Sequence, residues 1–260
     1  MQALLKRKNL MTVAAVIFTV FEAVMFYLIH ISNVEVKFTE YYICIIAAAV
    51  FSLLTLIIKI ATAKEYDEKI KDIITDKKDG NLIIIAMMFT LVADYFLVAL
   101  EEQNHLAGVI VFLGTQFFIF LHTYVSDSNY LCRMANIGCR ILLSAFAVIA
   151  VFLILGDSSD LLSIISVVYY ANLCTNILFA HRCEKGGIIL TIGLILFALC
   201  DINVGLSALN NIYSGGFPKG SFLYNILYSE LNLIWIFYIP SQTLIPLTLI
   251  FLDKKSENKA

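Results

Sequence analysis

Apolar runs of about twenty residues, broken by short polar stretches, recur along the whole chain. A typical run, LIIIAMMFTLVADYFLVAL at 82–100, carries one charge in nineteen residues, that of Asp94. A bilayer-crossing helix needs about 20 mostly apolar residues. Eight segments qualify: 11–31, 41–61, 81–100, 106–125, 138–155, 161–180, 187–208 and 231–252. The stretch 222–230 reads as a partly buried approach to the last of them. A single helix over 222–252 would be about 46 Å long, too long for the hydrocarbon core. The first run follows Lys6, Arg7 and Lys8, as in a signal peptide, but is too long for one and has no A-x-A site after it, so it is expected to be a retained span. These elements predict an all-α polytopic membrane protein, a single transmembrane helical bundle domain over 1–260.

The basic residues orient the spans. The N-tail, 62–80, 126–137 with its flank (which includes Arg140), 181–186 and the C-tail hold fifteen Lys and Arg. The alternate loops hold two, Lys37 and Lys219. Cytoplasmic loops are enriched in Lys and Arg. Both termini are therefore expected to be cytoplasmic, with an even number of spans.

Composition agrees. Hydrophobic residues make up 60% of the chain and charged residues 15%, against about 45–50% and 25% in soluble domains. This excludes a soluble enzyme domain, and a net charge of −2 gives no reason to expect nucleic acid. The longest polar loop, about 62–80, is too short to fold alone, so any chemistry belongs inside the bundle of a multi-pass protein, expected in a bacterial cytoplasmic membrane. The six cysteines form no CxxC pair and read as small free hydrophobes, without a disulfide framework or a zinc site. Two acids and one distant His on separate spans do not specify a metal, so no cofactor is expected, and no feature specifies an oligomeric state.

Charged groups within a span cost about 2.5–3.5 kcal/mol on insertion scales and normally face protein. Spans two and five contain almost nothing polar and read as lipid-facing scaffold. The others hold Glu22, Asp94, Gln116, His122, Asn172, Asn176, Asp201, Asn203 and Gln242. Asp94 in span three and Asp201 in span seven both sit about 20 Å from the start of their spans. Their contexts are alike, as a parallel repeat of spans one to four and five to eight would produce. Two acids at one depth favour a functional site over helix–helix glue. Asn172 and Asn176 share one face and read first as interhelical hydrogen-bonding groups, as does Gln116. His122 reads equally as an interfacial side chain, and Glu22 equally as a structural partner or part of the site.

Four stretches resemble the YhhN-like membrane family, the lysoplasmalogenases. FTLVADYFLVAL is similar to that family's first aspartate helix. GTQFFIFLHTY, with Gly114, Phe118 and His122 four apart and Tyr124 just after, resembles the helix that follows. GLILFALCDINVGL resembles the second aspartate helix. FYIPSQTLI, with Tyr238 and Gln242 four apart, is similar to a late Tyr–Gln helix. Ala93 and Cys200 stand where the family usually has Gly and Ser before the aspartates.

The resemblance implies a lipid substrate: hydrolysis of the vinyl ether of a lysoplasmalogen, giving a fatty aldehyde and a glycerophospho-base. Asp94 and Asp201 would be the catalytic pair. His122, Tyr124, Gln116, Asn172, Asn176, Tyr238, Gln242 and Glu22 would be the substrate-binding groups. A vinyl ether hydrolyses by protonation at carbon, which needs a carboxylic acid that keeps its proton near neutral pH. Two interacting carboxyls in a low-dielectric site are suited to that. The competing reading is a small-molecule or proton-coupled transporter: intramembrane acids are natural relay groups, and Pro240 and Pro246 could break span eight. A structural or sensory bundle is the third.

Overall fold

The computed structural model describes residues 2–31, 38–62, 80–100, 103–183, 186–212, 216–228 and 232–252. The polar loop 63–79, Lys37, Lys185 and the C-tail, on which much of the charge asymmetry rests, lie outside the described residues. Among the described residues the chain is helical, with α1 (Gln2–His30), α2 (Phe38–Ala61), α3 (Leu82–Asp94), α4 (His105–Ser126), α5 (Tyr130–Leu155), α6 (Leu161–Ala180), α7 (Gly187–Ile212), the short α8 (Phe222–Leu227) and α9 (Leu233–Phe251). Eight helices among the described residues are long and apolar enough to cross a bilayer. The chain is an all-α, multi-pass membrane protein.

Span five starts well before its expected position. Its helix begins at Tyr130 instead of 138, because the Asn129 side chain accepts the Leu131 and Cys132 amides and caps the first turn. Arg133, Asn136 and Arg140, counted with a loop, are helical residues as a result. Short turns join α3 through α7, so neighbouring helices run antiparallel and α3 and α7 run parallel. Asp94 lies about 18 Å into α3 and Asp201 about 21 Å into α7, which keeps the two acids near one depth.

The reading of spans two and five as a lipid-facing pair holds for one of them. The most apolar window of α5 is 6% buried, whereas that of α2 is 50% buried. Helix α2 sits against α1, α3 and α9. Its small residues Ala48, Ala49 and Ser52 are buried and let neighbours approach. Ser52 and Thr55 return their hydroxyls to the Ala48 and Ser52 carbonyls, so the helix presents little free polarity. Phe18 of α1 stacks on Phe51 at 4.6 Å, and Tyr41 stacks on Trp235 of α9 at 4.1 Å.

Helix α9 packs against α7, α2, α1 and α3. It runs unbroken through Pro240 and Pro246, without the break that these prolines suggested. Each proline lacks an N–H, so the carbonyls of Ile236 and Gln242 lose their helical partners. Ser241, Thr243 and Thr248 bond their hydroxyls to carbonyls of the same helix, keeping its other polar groups inside. On α7, Gly193 gives α9 room: a Cβ there would lie 3.0 Å from Ile245 Cγ1 and 3.3 Å from the Ile245 backbone nitrogen.

At the end of α4, Asp127 accepts the Asn129 amide at 2.8 Å and Arg182 Nε at 2.6 Å. It thereby ties the α4–α5 corner to the end of α6. Burial pushes the Asp127 carboxyl up. The hydrogen bonds from Arg182 and Asn129, with the charges of Arg182 and Arg133, outweigh this and hold it below its ordinary value.

Two outcomes follow from this packing. Gly193→Val should destabilise the bundle by about 1–3 kcal/mol through overpacking, seen as a lower thermal midpoint in detergent; an unchanged midpoint would mean α7 and α9 are not held this closely. Because the folded-state pKa of Asp127 is depressed, its stabilisation is present above 3.8, the ordinary value, and fades as pH falls through the lowered one. Asp127→Asn should therefore lower the midpoint at neutral pH, by no more than about 1 kcal/mol given the exposure of Arg182. That difference should close on acidification.

Candidate active site

The site begins where α3 changes its winding. After Asp94 the helix widens into a π-turn, Tyr95–Ala99, closed by the Leu100 amide on the Tyr95 carbonyl at 3.1 Å. The Tyr95 amide is shared between the Leu91 and Val92 carbonyls. The hydroxyl of Tyr42 on α2 also donates to Leu91 at 3.1 Å. Such single π-turns recur at functional positions. Asp94 is 3% exposed, and its Oδ2 accepts the Tyr238 hydroxyl of α9 at 2.5 Å. One turn earlier, Thr90 and Thr115 bond across the α3–α4 contact.

Asp201 on α7 has a similar partner: its Oδ2 accepts the Tyr169 hydroxyl of α6 at 2.6 Å. The two acid–phenol pairs belong to one aromatic cluster. The ring of Phe197 meets Tyr238 at 5.4 Å and Phe112 at 5.5 Å, and Phe112 meets Tyr169 at 5.7 Å. The two carboxyls are within electrostatic reach of each other, with Cys200 within reach of both. Four helices, α3, α6, α7 and α9, thus bring two carboxyls and two phenols to one low-dielectric layer. Chemically this layer can hold, donate and accept protons. Among the described residues no three His, Cys, Asp or Glu side chains are grouped to hold a metal ion.

A second polar layer lies one to two turns away. Asn176 on α6 donates to both the backbone carbonyl and Oε1 of Gln116 on α4, at 3.0 and 2.8 Å. Its own Oδ1 accepts Arg140 of α5 at 2.8 Å. Asn172 Oδ1 accepts the same guanidinium. Gln116, Asn172 and Asn176, singled out from the sequence as separate polar residues, therefore form one network. Arg140, which charge counting had assigned to a loop flank, is its centre.

The remaining candidates stand elsewhere. Gln242 is buried one turn from Tyr238 and bonds Ser241, with Oε1 unpaired. His122 is buried, its Nδ1 unpaired, and lies six residues beyond Gln116, about 9 Å further along α4. Tyr124 lies under Arg133, whose guanidinium carbon is 5.5 Å from the ring centre. Glu22 is buried on α1 and faces the Cys44 thiol of α2. Among the described residues no hydrogen bond or ring contact joins these last three to the aspartates. An apolar groove of about 250 Å³ between α3 and α4, lined by Met88, Phe89, Val92 and Val111, includes none of the polar groups.

Sequence reasoning missed Tyr169 and Arg140. Tyr169 had a signal: it stands one turn before Asn172 on a face already marked as polar. Arg140 had one too, lying four residues after Asn136 inside an apolar run.

A family model, described as the YhhN family, matches residues 48–249. No curated protein and no solved structure matches the chain.

Removing a phenol should expose what it does. Tyr238→Phe leaves the buried Asp94 carboxyl without its donor, which should cost about 1–3 kcal/mol. Denaturation in mixed micelles measures this, and a variant as stable as the parent would show that the Tyr238–Asp94 bond does not hold α3 to α9.

Proposed function

Because the chain belongs to the YhhN family, we propose that it is a membrane-embedded hydrolase of the vinyl ether bond in lysoplasmalogen-type lipids. The observation that carries this reading is the paired arrangement of Asp94 with Tyr238 and Asp201 with Tyr169 in one aromatic layer within the spans.

The chemistry needs two carboxyls in different protonation states. One, still protonated, gives its proton to the β-carbon of the alkenyl group, and the C=C electrons form the new C–H bond. The positive charge spreads over the α-carbon and the ether oxygen. The other carboxyl, ionised, faces that cation and takes a proton from the attacking water. The resulting hemiacetal gives its hydroxyl proton to the first carboxyl, now ionised, and breaks its bond to the glycerol oxygen, which takes the proton held by the second; the former α-carbon becomes the aldehyde carbon and both carboxyls return to their starting states. No electrons are gained or lost and no cofactor enters the balance. Glycosidases stabilise a related cation between two carboxylates. The phenols are positioning groups that fix one oxygen of each carboxyl. The surrounding rings of Phe112 and Phe197 exclude water, which strengthens every charge interaction in the layer.

A single-chain lipid suits a site reached from within the bilayer, its tail along the apolar helix faces and its polar end at the amide network. The transporter reading loses the argument from a broken helix, since α9 is continuous, and keeps the one from intramembrane acids.

The test uses purified full-length protein in detergent with an alkenyl lysophospholipid, and measures fatty aldehyde. Asp94→Asn and Asp201→Asn should each lower the rate by about 10²–10⁴-fold, the usual contribution of a general acid or base. No aldehyde from the unmodified protein with any headgroup would remove the hydrolase reading. Full activity in both Asn variants would move the site elsewhere. Uptake into sealed vesicles without product would identify a carrier.

A further inference from the structure

We infer that Arg140 is the anion-recognition centre of this membrane site and binds the phosphate of a lysophospholipid headgroup.

The argument starts from an unbalanced charge. Arg140 lies ten residues into α5, and its guanidinium points inward to the α4–α6 contact. It donates to the Asn172 side chain and backbone carbonyl, to Asn176 at 2.8 Å and to Asn136 at 3.4 Å. It also covers the Phe120 ring at 4.3 Å. Every one of these partners is neutral. A cation carried into a span is costly and ordinarily meets a counter-charge, and for Arg140 the protein supplies amides and a phenyl face in its place. If the residue only joined helices, a neutral amide donor would serve without that cost.

Donors are also left over. Arg140 Nε is buried and unpaired. Gln116 is fully buried, and its Nε2 has no partner while its Oε1 is engaged by Asn176. Two spare N–H donors on one connected network, next to a planar fork, fit the oxygens of a phosphate.

The position fits the same ligand. Asn172 stands three residues from Tyr169 and Gln116 four from Phe112, so these nearer amides of the network lie about 4.5–6 Å along the axis from the rings of the acid layer. In a lysoplasmalogen five covalent bonds separate the vinyl ether oxygen from phosphorus, a reach of about 6 Å at ordinary bond lengths.

Naming the anion as a lysophospholipid phosphate rests on the hydrolase reading; the binding measurement does not. Purified full-length protein is titrated with a non-hydrolysable saturated ether lipid, 1-alkyl-lysophosphocholine, and with the matching 1-alkylglycerol, which has no phosphate. The unmodified protein should bind the phospholipid about 10–100-fold more tightly, as charged hydrogen bonds warrant. Arg140→Gln should abolish that ratio and Arg140→Lys should keep part of it. Because the ratio is taken within one variant, a general loss of folding lowers both affinities and leaves it unchanged. Equal binding of the two lipids by the unmodified protein, or an unchanged ratio in Arg140→Gln, overturns the inference. Inorganic phosphate is the third probe: stabilisation by phosphate equal to that by the phospholipid would make the ligand a soluble anion and overturn the lipid assignment. An Arg140-dependent ratio without aldehyde release from an alkenyl substrate supports the anion site and removes the hydrolase reading. Aldehyde release without such a ratio does the reverse.

Discussion

Hydrocarbon offers no partner to a polar group, so each one carried into the spans must be matched from within the chain. That constraint explains most of what fixes these helices. The hydroxyls of Ser52, Thr55, Thr175, Thr191 and Thr243 bond carbonyls of their own helices, so they add polarity without asking anything of a neighbour. Asp94 and Asp201 cannot be satisfied in this way. Each takes a phenol from another helix, Tyr238 of α9 and Tyr169 of α6. The first bond links helices far apart in sequence and the second ties the consecutive α6 and α7. The acids are therefore structural pins as well as candidates for chemistry.

The same constraint made the fold legible. A chain that must keep its backbone bonded inside the bilayer shows its spans as apolar runs, and eight such runs became eight helices. What failed was inference about facing. Helix α2 looked like scaffold because it carries little polarity, yet Ala48, Ala49 and Ser52 turn inward. Small side chains leave no mark on a hydropathy count, although they decide how closely helices approach. Pro240 and Pro246 suggested a break, but α9 absorbs both within a surround of packed neighbours. Polarity and proline content predict where a helix is; packing determines which way it looks.

The site was legible in part for a related reason. Polar residues in oil are conspicuous, so Asp94, Asp201, Gln116, Asn172 and Asn176 were found from the sequence. Tyr169 was not, because an aromatic residue in a span reads as packing until its hydroxyl is seen to have a partner. Arg140 was overlooked because a cation near a span end is expected to belong to a surface. The cap at Asn129 lengthens α5 and draws Arg140 inside. The shift of one boundary changes the meaning of a positive charge in the bundle.

The separation of the two polar layers then becomes the informative feature. In a low-dielectric interior a guanidinium and a carboxylate attract strongly, and bringing Arg140 against Asp201 would relieve two unbalanced groups at once. The structure keeps them apart. Phe112 and Phe197 fill the acid layer beside Tyr169 and Tyr238, and the guanidinium is held by Asn172 and Asn176 on its own side. A salt bridge would neutralise the acids as proton carriers and close the guanidinium to any other anion. Phenols and amides do neither: they hold direction through hydrogen bonds without cancelling charge. Stability alone would favour the bridge or apolar replacements, so the unpaired arrangement points to groups kept ready for something the chain does not itself contain.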